Sequence, residues 1–215
     1  RRGGAGLGES RWLVRGFAKP ERNAMIDLYT WGTPNGRKVS IALEEMGLEY
    51  NVHPIAIGKD EQFAPDFLKI SPNNKIPAIV DNDNGQSVFE SGAILIYLAE
   101  KTGQFMPTDP AGRVAVMEWL MWQMGGFGPM LGQTHHFHKF NPGVAPYAED
   151  RFLNETKRLY GVLDKRLGET AYVGGDALSI ADFTIWPWAA RAEWQSVTFD
   201  DLPNVGRWYR ELAAR

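Results

Sequence analysis

Cysteine is missing from all 215 residues. Its absence excludes a disulfide framework, a thiolate metal site and any covalent intermediate on a cysteine sulfur, so any thiol chemistry must use a sulfur that a substrate brings. Long apolar runs are missing too. No stretch approaches the roughly 18 residues that span a bilayer, and the early apolar residues are too broken by arginine for a secretory leader. Histidine is scarce, at four residues, and the net charge is only −3. That total conceals an asymmetry: residues 1–24 hold six Lys or Arg against Glu9 and Glu21, and the remainder is acidic. Nothing here suggests a nucleic-acid binder, so no nucleic-acid or membrane partner is expected, and the default location is cytoplasmic.

What is present suits a folded chain of one large or two small domains, with 44% hydrophobic residues. Residues 1–24, rich in Gly and Arg, read as an extension before the fold: a tag, an upstream mistranslation or a disordered native segment, with a targeting peptide as the alternative.

Ile26 to Thr30 alternates apolar and polar residues as a half-buried strand does. Thr33-Pro34 then offers an N-cap followed by proline at the first helical position, which predicts a helix to Glu45 closed by Gly47. Tyr50 to Ile57 reads as a second strand, parallel to the first through a right-handed crossover. A polar loop follows, then the apolar run Ile76 to Val80 entered through Pro77, a turn at Asn82-Asp83-Asn84-Gly85 and a short strand Ser87 to Phe89. Ser91 can cap a helix whose Ile94, Leu95, Leu98 and Ala99 keep the 3.6-residue period before Gly103. That order, βαβ then ββα, is an α/β thioredoxin-like domain over residues 25–105. Gln104 to Gly112 reads as a linker. Residues 106–215 show helical spacing over 113–124, 146–167, 179–192 and 203–213, with the glycine-rich stretch 125–132 as an interruption, and predict an all-α domain. Ser179 and Asp182 have the spacing of a capping box on a buried helix, a folding device.

Several residues stand where chemistry is possible. Thr33 and Asn35 open the first helix, where unpaired amides and the positive end of the dipole favour an anion; Thr33 can equally be a plain N-cap. Glu90 and Ser91 stand at the junction of the fourth strand and the third helix, as a carboxylate and an ammonium would require, or as a cap beside a solvated acid. His135, His136 and His138 are spaced i, i+1, i+3, which does not put all three on one helical face, so no metal is assigned. Trp119, Trp122, Gln123 and Met124 form a stripe that would line a cleft or an interface, or simply be core.

Taken together and in order, Thr33-Pro34-Asn35-Gly36, Ile70 to Ile79, Phe89 to Ala93, Gly125 to Met130 with His135-His136-Phe137, and Ser179 to Asp182 resemble the cytosolic glutathione transferases from about residue 25 to the end. The nearest likeness is to the bacterial Nu class, whose members resemble a yeast prion protein and act as glutathione-dependent disulfide reductases. The resemblance implies a thioredoxin-like domain followed by a helical bundle, a homodimer, glutathione as co-substrate, no metal, and a small disulfide or electrophile as second substrate. It implies that Thr33 and Asn35 are catalytic and stabilise the glutathione thiolate. It also implies that Gln62, Lys75, Ile76, Pro77, Glu90, Ser91 and Arg151 bind the tripeptide, Ile76 through its backbone. Tyr29 is the rival sulfur ligand, because other transferase classes place a tyrosine near the end of the first strand. Conjugation or peroxide reduction would use the same thiolate, and a non-catalytic binding protein on this fold is the alternative of another kind. Members of the resembled family usually run further, so the end at Ala213-Ala214-Arg215 reads as a truncation.

Overall fold

The computed structural model describes residues 25–215; the reading of residues 1–24 lies outside them. Strand β1 (Ile26–Thr30) leads into helix α1 (Pro34–Met46) and back to β2 (Tyr50–Pro54), which pairs parallel to β1. Strands β3 (Ala78–Asp81) and β4 (Gln86–Phe89) add antiparallel on the other side, giving the order β2-β1-β3-β4, and α3 (Ser91–Thr102) closes the domain. Ile26 and Leu28 point into the core, while Asp27 and Tyr29 take the opposite face, as the period of two requires.

Three expectations need correction. The predicted polar loop contains two short 3₁₀ turns and helix α2 (Pro65–Ile70), too short to show a hydrophobic period. Ser91 does not cap α3: Glu90 holds the cap position without a side-chain bond, and Ser91 is the first helical residue, 4% exposed and turned inward. The glycine-rich stretch does not interrupt the helices either. Helix α4 (Pro110–Trp122) passes through a π turn at Gln123–Phe127 into α5 (Gly128–Thr134) and a second π turn at His135–Phe140. Glycine's conformational freedom weakens a helix but does not end one that packing holds.

The long helix α6 (Pro146–Glu169), then α7 (Ile180–Ala189) and α8 (Pro203–Ala213) complete the second half. Every residue of α7 is buried, which fits a helix that is apolar all round. It packs against α1 and α3 as well as α4, so the two halves share one continuous apolar core. At its start, Asp182 accepts from the Ser179 amide at 3.0 Å, and its other oxygen takes the Val173 amide and the Trp208 indole, both at 2.9 Å. That carboxylate is consumed by folding. Trp119 and Trp122 are packing as well: Trp122 stacks on Phe127 at 5.0 Å, and Arg166 lies over Trp119.

Candidate active site

The sheet brings three chain segments to one edge. The last residues of β1, the first of β3 and the last of β4 meet there, because Tyr29 stands opposite Ala78 and Ala78 opposite Phe89. Helices α1 and α3 both start from this edge. The Ile76–Pro77 bond is cis and lies just ahead of β3, with Pro77 buried and Ile76 half-buried beyond the last rung of either ladder. Thr33, Asn35, Ile76, Pro77, Glu90 and Ser91 are therefore gathered at one end of the domain.

At α1, Thr33 Oγ accepts the Gly36 amide at 3.2 Å, the bond of a true N-cap, which leaves its own proton to be donated elsewhere. Residue 36 has to be glycine for a local reason: a Cβ there would stand 2.3 Å from the Trp31 carbonyl, which folds back over the helix end. Asn35 is oriented from the other domain. The Trp188 indole N–H lies 3.1 Å from its Oδ1, and an indole can only donate, so the amide oxygen must face Trp188 and the amide NH₂ is left to donate. Behind Trp188 stands a buried relay. Gln195 Nε2 donates to the Trp188 carbonyl at 3.1 Å and approaches His135 Nε2 at 3.0 Å, while the Tyr160 hydroxyl donates to Gln195 Oε1 at 2.7 Å. The same donor logic makes His135 Nε2 an acceptor, hence a neutral ring, and burial, helped by the Arg191 charge, pushes His135 down to about 4.

The start of α3 is built differently. Glu90 is exposed and held at φ 69°, a conformation that L residues rarely adopt and that costs about 1 to 3 kcal/mol, so the surrounding fold must impose it. Ser91 Oγ accepts from Lys38 Nζ at 3.3 Å and lies 3.6 Å from Met124 Sδ. Lys38 in turn donates to Gln123 Oε1 at 2.7 Å. Sequence reasoning gave no role to Lys38 or Trp188, and read Gln123 and Met124 as part of a stripe that lines a cleft or an interface or is simply core.

The remaining expected residues divide. Gln62 sits in a 3₁₀ turn with its Oε1 buried and without a hydrogen-bond partner among the described residues. Lys75 is exposed, and its carbonyl accepts from the Ser71 hydroxyl at 2.8 Å. Arg151 is not brought to the others: it lines a groove of about 580 Å³ on α6 with Met130, Tyr147, Asp150 and Glu155, none of them from the sheet domain. Tyr29 turns to the sheet face away from α1, stacking on His53 at 4.6 Å and approaching Phe67 at 6.3 Å. Burial, and then the Asp27 charge, push its phenol up, so it stays protonated; its packing on His53 and Phe67, not its titration, speaks against Tyr29 as the sulfur ligand. The histidines scatter, with His135 stacked on Trp188 and His138 between Glu149 and Ser196 at 2.7 Å each.

Two family profiles match the chain: the glutathione S-transferase N-terminal domain over residues 24–100 and the glutathione S-transferase C-terminal domain over 146–211. The chain belongs to the glutathione S-transferase family. Among its relatives, the disulfide-bond oxidoreductase YfcG of Escherichia coli (strain K12) is 50% identical over 196 residues, 89% of this chain and 91% of that protein. A glutathione transferase of Burkholderia graminis, solved with two glutathione molecules per subunit, is similar with a TM-score of 0.83 and 45% identity, over 89% of this chain and 85% of that one. A Pseudomonas putida glutathione transferase with one glutathione disulfide per subunit matches equally, at 0.83 and 45%, over 89% of this chain and 88% of that one. Within this transferase fold, the gathered residues lie on the N-terminal domain; the helical domain adds Trp188 at Asn35 and Met124 at Ser91, with Gln123 holding Lys38 behind Ser91.

Proposed function

We propose that this transferase, of the Nu class type, binds glutathione across the starts of α1 and α3 and uses its thiolate to reduce disulfides. The observation that carries the reading is the Asn35 amide, turned by Trp188 so that its NH₂ donates at the helix start beside the Thr33 hydroxyl. A glutathione-like thiol has a reference pKa of about 8.5, so only about 3% is ionised at pH 7. Lowering it two units takes about 2.7 kcal/mol of preference for the anion. The helix end supplies roughly 0.3 to 1 kcal/mol, and hydrogen bonds to a charged sulfur about 1.5 to 3 kcal/mol each, so Asn35 and Thr33 are together sufficient where the dipole alone is not.

The same reading assigns the rest of the tripeptide. The γ-glutamyl carboxylate meets Ser91 and the first amides of α3, its ammonium meets Glu90, and the backbone of Ile76 beside Pro77 pairs with the cysteinyl residue as an added strand would. The buried Gln62 oxygen is an acceptor for a peptide N–H near the glycine end, with Lys75 available to the terminal carboxylate. Arg151 lines a groove among residues of the helical domain, and we propose a homodimer in which it serves the glycine end from a second subunit; relatives solved with glutathione or its disulfide favour the same ligand. Chemistry without a protein thiol proceeds by two exchanges. A bound glutathione thiolate attacks one substrate sulfur, forming a mixed disulfide and releasing the other sulfur as a thiolate that takes a proton. A second glutathione thiolate then attacks the mixed disulfide, forming glutathione disulfide and releasing the second substrate thiol. Conjugation and peroxide reduction remain open to the same thiolate, and a cytoplasmic setting, which keeps glutathione reduced, suits all three.

Retention on immobilised glutathione followed by turnover of hydroxyethyl disulfide, saturable in glutathione, tests the reading. Retention without saturable turnover would leave a non-catalytic binding protein.

A further inference from the structure

Lys38 lies on the inward side of α1, where Asn35, Lys38, Val39, Ala42 and Met46 follow the i, i+3, i+4, i+7 and i+11 positions of one helical face. It is 1% exposed. An ammonium that deep is costly unless a carboxylate answers it, yet its contacts are all neutral: Gln123 Oε1 at 2.7 Å, Ser91 Oγ at 3.3 Å and Met124 Sδ at 3.5 Å. The charged groups around it are few. Glu90, at the start of α3, acts through its field alone. On α7, which also packs against α1, Asp182 is committed to Val173, Ser179 and Trp208. The adjoining Arg37 faces Arg191 and Tyr209. Burial pushes Lys38 down to about 7, with Glu90 holding it up. The enclosure is closely fitted: a Cβ on Gly92 would stand 3.0 Å from Met124, and Gln123 Nε2 is buried without a partner among the described residues.

We propose that Lys38 is the positioning residue of the γ-glutamyl subsite, a buried amine that holds the Ser91 hydroxyl and takes up a proton to become the countercharge when an α-carboxylate seats on Ser91. The inference rests on glutathione binding at this site. Without ligand, Ser91 Oγ accepts from Lys38 and has only the weak acceptor Met124 Sδ, 3.6 Å away, for its own proton. A carboxylate is a far stronger acceptor and draws that proton outward. It then stands one hydroxyl away from Nζ, where solvent screens little, and favours the protonated lysine. No covalent bond changes; one proton passes from solvent to Nζ.

S-methylglutathione isolates the effect, because it has no thiol to ionise. Calorimetry at pH 7.5 in buffers of different ionisation enthalpy should show uptake of about half a proton per ligand, and affinity should be about fivefold tighter at pH 6 than at pH 8, for a rise of about one unit in the bound state. Lys38→Met should abolish the uptake and leave a weak, flat affinity. Lys38→Arg, whose charge is not lost in this range, should keep the tight affinity and lose the slope. Wild-type binding with no proton uptake and equal affinity at the two pH values overturns the proposal, needs no variant, and leaves glutathione binding intact. Uptake that survives in Lys38→Met overturns it too, whereas failure of S-methylglutathione to bind at either pH removes the glutathione reading and the inference together.

Discussion

The start of α1 is capped by its own Thr33 at 3.2 Å, whereas the start of α3 has no side-chain cap and is backed from inside by Lys38 through Ser91. The two ends face the same edge of the sheet, yet they suit different charges. A capped end, with one more donor held in place by Trp188, presents a few fixed hydrogen bonds to an atom whose charge must be created. An uncapped end keeps its amides available and suits a carboxylate that arrives already charged. Interactions at α1 should therefore strengthen as the thiolate forms and appear in turnover, while those at α3 are alike in ground and transition states and should appear in affinity.

Substitution can break that division, the largest effect coming first. Asn35→Ala should lower kcat/KM for disulfide reduction about a hundredfold while changing the glutathione Kd by no more than about twofold. Steady-state kinetics beside calorimetry checks this, and an equal loss in both would abolish the distinction. Ser91→Ala and Glu90→Ala should show the converse, a Kd weakened about tenfold with kcat largely kept. Wild-type affinity in both variants would move the ligand elsewhere. Trp188→Phe keeps the ring that stacks on His135 and removes only the indole donor, so Asn35 is retained but free to turn. A several-fold loss of kcat with unchanged Kd is expected, smaller than for Asn35→Ala, and an effect on affinity alone would sever Trp188 from the sulfur.

The first of these contrasts was readable before any coordinates, and the third was not. Thr33-Pro34-Asn35-Gly36 announces a helix start because cap, proline and first turn are neighbours in the chain. The succession of strands along the chain followed from alternation and turn residues in the same way, although the second strand ends at Pro54 and not at Ile57. Trp188 reaches Asn35 across 153 positions of sequence, and Lys38 meets Gln123 across 85, so neither contact leaves a local trace. Lys38 did leave one signal, a lysine on the buried stripe of an amphipathic helix. The inward turn of Ser91 was hidden because serine before an apolar helix ordinarily caps it, and here the close approach of Met124 over Gly92 and the bond from Lys38 Nζ decide otherwise. Helix continuity through residues 125–132 was hidden because local propensity is weak beside packing.

Two smaller effects sharpen the picture of the α1 side. Thr33→Ala should cost about 1 kcal/mol of stability through the lost cap, read by urea unfolding, together with a modest fall in kcat. His135 supports Trp188 as a neutral ring whose folded value, about 4, lies below its ordinary 6.5. Between those values the unfolded chain binds a proton that the native protein refuses. The His135 contribution is thus fully present above pH 6.5 and is lost as the pH falls from there through about 4. Unfolding at pH 7.5 and pH 4.5 should show a larger loss in the wild type than in His135→Phe; equal losses would mean that His135 is protonated in the fold.

The central claim, that this end of the protein ionises the thiol of glutathione, is tested most directly by titrating the thiolate absorbance of glutathione bound to the wild type and to Asn35→Ala. An inflection well below about 8.5 in the wild type, returning toward 8.5 by a unit or more in the variant, is the result expected. An inflection at the free-thiol value in the wild type, or the same lowered value in both proteins, would contradict it.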